Sequence, residues 1–291
     1  MDRFDELWKQ AELNRRDLLA TGTLTGFVAG FAMSVQPVEA QTMILTSADG
    51  LDVGLVDIPT ADGTIPAYRA APKNARGRPL ILVVQEIFGV HEHIKDICRR
   101  FAKLGYVAIA PSLYHRQGDV TNLKSFDEIR PIVAKVPDAQ VMSDLDAVRD
   151  WAAKAGLSDP ARVGITGFCW GGRIVWLYAA HYQGLKAGGA WYGRLVGDKS
   201  ANQPAHPVDL AGKISAPILG LYGSADAGIP VSTVEEMRQA LGPASKSRIE
   251  VYPDAPHAFF ADYRPSYREA AAKDAWGKLL TWFTTHGLSA G

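Results

Sequence analysis

Two apolar rhythms follow one another along the chain, and the change between them predicts the architecture. Residues 51–59 (LDVGLVDIP) and 64–72 (TIPAYRAAP) read as two strands joined by Ala61-Asp62-Gly63, an antiparallel opening hairpin. Residues 80–84 are then a continuous apolar run. Ile94, Ile97, Cys98, Phe101 and Leu104 fall on one helical face that closes at Gly105, and residues 107–110 are apolar again. The alternation continues with a helix over 139–155, a strand over 163–166, a helix over 171–182 and strands over 187–191, 217–222 and 248–252. A helix from Ser232 opens with the capping-box pattern Ser232-Thr233-Val234-Glu235, and residues 267–286 form a closing helix. Apolar strands alternating with amphipathic helices imply right-handed βαβ units, hence an α/β fold with a mostly parallel, doubly wound sheet and helices on both faces. No internal repeat or low-complexity linker breaks this pattern, so residues 41–291 read as one domain.

Residues 1–40 stand apart. Arg15 and Arg16 precede a moderately apolar stretch rich in Gly, Thr and Ala, followed by Pro37 and the small-residue site Val38-Glu39-Ala40. This resembles a twin-arginine export signal cleaved after Ala40, with Asn14, Leu18 and Ala20 departing from the usual motif. The alternative is an uncleaved membrane anchor, because residues 18–35 are just long enough to span a bilayer. The expected destination is the periplasm or the exterior, reached through the export machinery, with no stable membrane association after processing.

At 291 residues the chain is large enough to bury about three quarters of its surface. Lys and Arg number 31 and so do Asp and Glu, so the whole-chain field is weak and nothing favours nucleic acid. Two cysteines make no disulfide framework, and no Cys/His spacing predicts a metal. Cys98 reads as core, and His91 and His93 as solvated positions at a helix start.

Chemistry concentrates at residues 162–172, RVGITGFCWGG. This is a buried strand, a sharp turn and a helix start, a G-x-C-x-G form of the nucleophile elbow with Cys169 at its apex. In a parallel sheet, reactive groups collect on loops leaving the carboxyl ends of strands. Asp226 follows PILGLYGSAD, His257 follows IEVYPDAPH and Glu86 follows LILVVQE. The order nucleophile, acid, histidine is that of α/β hydrolases. A thiol needs a nearby base, which His257 supplies if Asp226 holds its ring in one tautomer, and the backbone N–H groups of Ile87 and Trp170 would face a developing oxyanion.

With these motifs in place, the chain from about residue 50 to its end resembles the dienelactone hydrolase family, also called carboxymethylenebutenolidases. The resemblance rests on QEIFG at 85–89, LYHRQ at 113–117, GFCWGG at 167–172, GSAD at 223–226 and PHAF at 256–259. It implies that Glu86 is associated with the cysteine and helps generate the thiolate. It also implies that Arg116, with Tyr114 beside it, contacts the carboxylate of a lactone substrate. A second arginine is expected four residues after the histidine, but Ala261 stands there, and Arg264 is the nearby candidate to replace it.

The expectation is an exported cysteine hydrolase, free of cofactor and metal, that opens an ester or enol-lactone bond in a small carboxylated molecule. The alternatives are a carboxylesterase or thioesterase of broader specificity and, in another class, a non-catalytic ligand-binding protein on the same fold.

Overall fold

Each buried apolar run becomes a strand of one sheet. The computed structural model describes residues 43–123 and 125–290, so the expected export segment lies outside the described residues. Strands β1 (Leu51–Thr60) and β2 (Gly63–Pro72) pair antiparallel from Leu51 opposite Pro72 to Thr60 opposite Gly63. A two-residue turn, Ala61-Asp62, therefore connects them, and Gly63 takes φ 142° as the first residue of β2. The other strands are β3 (Arg78–Val84), β4 (Val107–Pro111), β5 (Ser158–Phe168), β6 (Ala187–Trp191), β7 (Ile218–Gly223) and β8 (Arg248–Tyr252). The spatial order is β1-β2-β4-β3-β5-β6-β7-β8, antiparallel where β2 meets β4 and parallel from β4 onward.

Among the described residues, five helices of eight residues or more accompany the sheet: α1 (Glu92–Lys103), α2 (Phe126–Val133), α3 (Asp138–Lys154), α4 (Trp170–His181) and, after a short turn α5 (Pro207–Leu210), α6 (Val231–Leu241). A sixth, α7 (Glu269–Thr285), ends the fold. Adjacent residues in a strand point to opposite faces, and β6 shows what lies on each. A Cβ on Gly188 would come within 3.0 Å of Val175 in α4, and one on Gly189 within 2.3 Å of Leu279 in α7. The sheet is thus covered on both sides, as the continuous apolar strands require. On the α7 side, the Phe101 ring of α1 lies 4.8 Å from that of Trp276 and 6.0 Å from that of Phe283.

A buried ionic chain fixes α1 to the loop after β8. Asp96 accepts hydrogen bonds from Arg100 Nε at 2.6 Å, Arg99 Nη2 at 3.0 Å and the Thr46 backbone N–H at 2.6 Å. Arg100 Nη2 donates onward to Asp262 Oδ2 at 2.5 Å, and His93 Nδ1 stands 3.3 Å from Asp262 Oδ1.

Three readings change. The Ser232 capping box is not formed: α6 begins one residue earlier, with Pro230 as N-cap, and Thr233 Oγ1 donates to the Pro230 carbonyl at 2.7 Å. A capping box is formed instead at α2, where Ser125 and Glu128 satisfy each other's backbone N–H groups. His91 and His93 are not solvated. They are 4% and 3% exposed, with Glu86 3.0 Å from His91 and Asp262, far off in sequence, 3.3 Å from His93.

Candidate active site

Loops leaving six strands converge above the carboxyl edge of the sheet. The sharpest is the single residue between β5 and α4. Cys169 takes φ 55° and ψ −112°, a conformation that side-chain-bearing residues rarely adopt. Its N–H donates to the Trp191 carbonyl at 3.0 Å, and its own carbonyl receives the Gly172 N–H at 3.0 Å. The turn is this tight because the glycines allow backbones to touch: a Cβ on Gly171 would fall 2.5 Å from the Gln85 carbonyl, and one on Gly172 would fall 2.3 Å from that of Trp191. Tyr192 and Ala258, on the neighbouring loops, share the left-handed backbone at φ 37° and 59°. Cys169 is partly exposed, whereas Cys98 is buried and its thiol is pushed well above the ordinary range by desolvation.

Asp226, after β7, is buried and fixed by its own turn, with Oδ1 accepting the Gly228 and Ile229 N–H groups at 2.9 and 3.1 Å. Its Oδ2 lies 2.6 Å from His257 Nδ1. Burial alone would lower the His257 imidazole, but hydrogen bonds to Asp226 and Cys169 outweigh it and push the group up to about 10. The Tyr192 ring meets the imidazole edge to face at 5.1 Å. Cys169, His257 and Asp226 therefore form one hydrogen-bonded line, drawn from three strands. The Trp170 N–H, at the start of α4, and the Ile87 N–H, in the turn closed by Gly89 N–H to the Glu86 carbonyl, donate to no backbone carbonyl among the described residues. Both are free to face an oxyanion.

Glu86 is 1% exposed. Its Oε2 receives the Tyr263 hydroxyl at 2.6 Å and lies 3.0 Å from His91 Nε2. Burial would raise this carboxyl, but His91, Arg264 and His93 hold it far below the carboxylate range. Tyr114 is buried with its ring edge-on to Trp170 at 4.8 Å, and the charges of Cys169 and Glu86 both reach its hydroxyl.

Both arginines were expected at the substrate, and the structure treats them differently. Arg116 is engaged by other groups: its guanidinium forks onto Asp144 at 2.8 and 3.0 Å and also holds Thr60 Oγ1 at 2.8 Å and Asp62 at 2.5 Å. Those bonds tie the loop after β4 to α3 and to the β1–β2 hairpin. Arg264 is the one brought in, its guanidinium 4.7 Å from the centre of the Phe88 ring and 5.6 Å from that of Tyr263. Glu86 and Cys169 act on it through charge alone, keeping it ionised despite burial. Ala261 is packed in the core. Tyr192 and Tyr263 join the site without having been singled out from sequence, and His91, expected to be solvated, joins it as well. For Tyr192, its place directly after a predicted strand was the available signal.

A strained thiol residue between a parallel strand and a helix, on a sheet of this order, defines the α/β-hydrolase type of fold. The sequence model of the Dienelactone hydrolase family matches residues 65–287, and the chain belongs to that family as one of its hydrolases. A Methylorubrum extorquens protein named "Putative carboxymethylenebutenolidase" is 59% identical over 282 residues, covering 96% of each chain. A Klebsiella pneumoniae crystal structure described as a "Putative Dienelactone Hydrolase" is 57% identical, with a TM-score of 0.78, and covers 81% of this chain and 99% of that one. A Bradyrhizobium protein named "Probable 2-oxo-3-(5-oxofuran-2-ylidene)propanoate lactonase" is 30% identical over 79% of this chain and 93% of its own.

Proposed function

We propose that the protein hydrolyses an ester or enol-lactone bond through a Cys169 acyl-enzyme. The observation that carries this reading is the line Cys169–His257–Asp226, with the thiol residue at the elbow and the imidazole raised to about 10. His257 Nδ1 is engaged by Asp226, so its Nε2 takes the thiol proton. The sulfur attacks the carbonyl carbon, a C–S bond forms, and the carbonyl π electrons move to an oxygen received by the Ile87 and Trp170 N–H groups. Collapse of the intermediate breaks the C–O bond, and the leaving oxygen takes the proton from His257. Water then attacks the thioester while His257 accepts its proton; collapse restores the sulfur and leaves the carboxylic acid.

Arg264 supports a carboxylated substrate. It is a guanidinium packed on Phe88 and within reach of the charge of Cys169, and Glu86, whose carboxylate charge also reaches it, already bonds two other groups. The Bradyrhizobium relative is named for a lactone that bears a propanoate, which agrees with that chemistry. Cys169→Ala assayed on carboxylated and neutral aryl esters tests the reading. Loss of turnover on both with an unchanged circular-dichroism spectrum is expected, and retained turnover would overturn it. The export signal over residues 1–40 is part of the same proposal and places the enzyme outside the cytoplasm.

A further inference from the structure

Besides Asp226 the site holds a second buried carboxylate, Glu86, whose charge reaches Tyr114 and Tyr192 as that of Cys169 does, and its surroundings are lopsided. Both bonds it receives fall on Oε2, from the Tyr263 hydroxyl at 2.6 Å and from His91 at 3.0 Å, while Oε1 is buried with no hydrogen-bond partner among the described residues. Tyr263 keeps its proton because burial drives its phenol well above the ordinary range, so it donates. Burial likewise lowers His91 despite the carboxylate beside it, leaving the ring neutral with its proton on the nitrogen that faces Glu86. Two neutral donors from opposite ends of the site, the N-cap of α1 and the loop after β8, therefore grip one oxygen.

We infer that His91 and Tyr263 are positioning residues that clamp Glu86 in one orientation, ionised, with Oε1 as the oxygen presented to the Cys169 thiol. This rests on Cys169 being the nucleophile. The other groups whose charge reaches Glu86 are His93 of α1 and Arg264. Glu86 in turn acts on Tyr114 after β4 and on Tyr192 after β6, both of which also sense Cys169. None of these four hydrogen-bonds the Glu86 side chain, so the orientation of the carboxylate depends on the clamp. The His93–Asp262–Arg100 chain holds the loop that carries Tyr263 and so supports the clamp from behind.

Thiol reactivity tests this without any substrate. The rate of Cys169 alkylation by iodoacetamide is followed from pH 3.5 to 8 on the purified protein, with the site of modification read by peptide mass spectrometry. In the wild type no step falls in the ordinary carboxylate range, about pH 4 to 6. Tyr263→Phe and His91→Leu each take away a donor that offsets the burial of Glu86, and each brings a step into that window. The step vanishes when Glu86→Gln is added, and His91→Gln, which keeps a donor at the same reach, retains the wild-type profile. Should His91→Leu fail to fold, Tyr263→Phe, which removes one oxygen, carries the test. A folded Tyr263→Phe with the wild-type profile, a step that survives Glu86→Gln, or His91→Gln behaving as His91→Leu would each overturn the clamp. Failure of the Cys169 reading would show separately, as turnover retained by Cys169→Ala.

Discussion

Arg264 and Arg116 separate binding from architecture at the level of single residues. Arg264→Ala removes a charge-assisted contact worth about 1.5–3 kcal/mol, so KM for carboxylated esters rises roughly tenfold to a hundredfold while neutral aryl esters keep theirs. Steady-state kinetics on matched ester pairs measure this, and equal losses on both would remove Arg264 from substrate binding. Arg116→Ala leaves the buried Asp144 carboxylate without its bidentate partner. It lowers stability by about 1–3 kcal/mol in urea melts and leaves KM nearly unchanged. The family motif LYHRQ marks Arg116 well enough in sequence. What sequence does not show is that Asp144 and Asp62, 28 and 54 residues away, occupy its donors. Tyr263 was illegible for the same reason, since it matters through Glu86, 177 residues away, whereas His91, five residues from Glu86, was misread because its position at a helix start does not show that it is buried.

Elements were legible where burial leaves a one-dimensional trace. Strand β6 begins and ends where its apolar run does, because a strand covered on both faces is apolar throughout, whereas the edge strand β8 keeps its predicted bounds with Arg248 exposed and Glu250 half-buried. Cys169, Asp226 and His257 were readable because each lies in the connection that leaves a predicted strand. Caps were less so: Ser-x-x-Glu occurs at both 125 and 232, and only the first is used, since Pro230 already starts α6. Helix α2 escaped notice because Pro131 breaks the pattern within eight residues. Ser125→Ala should cost about 1 kcal/mol of stability, measurable as a shifted urea midpoint. In α1, Arg100→Ala takes one charged partner from each of the buried Asp96 and Asp262 and should cost about 3–5 kcal/mol. A loss below 1 kcal/mol would mean that the ionic chain does not hold the loop.

For the whole molecule, stability should decline on both sides of neutrality. Burial opposes ionisation of Glu86 and Asp262, but their partners hold both carboxyls below the unfolded-chain value, so their contribution is complete above that value, about 4, and is lost progressively as pH falls below it toward their lowered folded values. His257 is raised to about 10, so its contribution is complete below about 6.5 and is lost as pH rises toward 10. Thermal melts from pH 3 to 10 should show both slopes, and His257→Gln should flatten only the alkaline one. At the start of the chain, replacing Arg15 and Arg16 with lysine should leave unprocessed protein in the cytoplasm, because the folded-protein export route reads the arginine pair and not charge alone. Processed protein beginning near Gln41 in the periplasm of that variant would contradict the export reading.

The central claim is a covalent acyl group on Cys169. Acid-quenching the enzyme during turnover of a slow carboxylated aryl ester, then measuring intact and peptide masses, tests it most directly. The account predicts an adduct equal to the acyl group, carried by the peptide containing Cys169 and absent from Cys169→Ala. An adduct on another side chain, or full turnover by Cys169→Ala with no adduct, would contradict it.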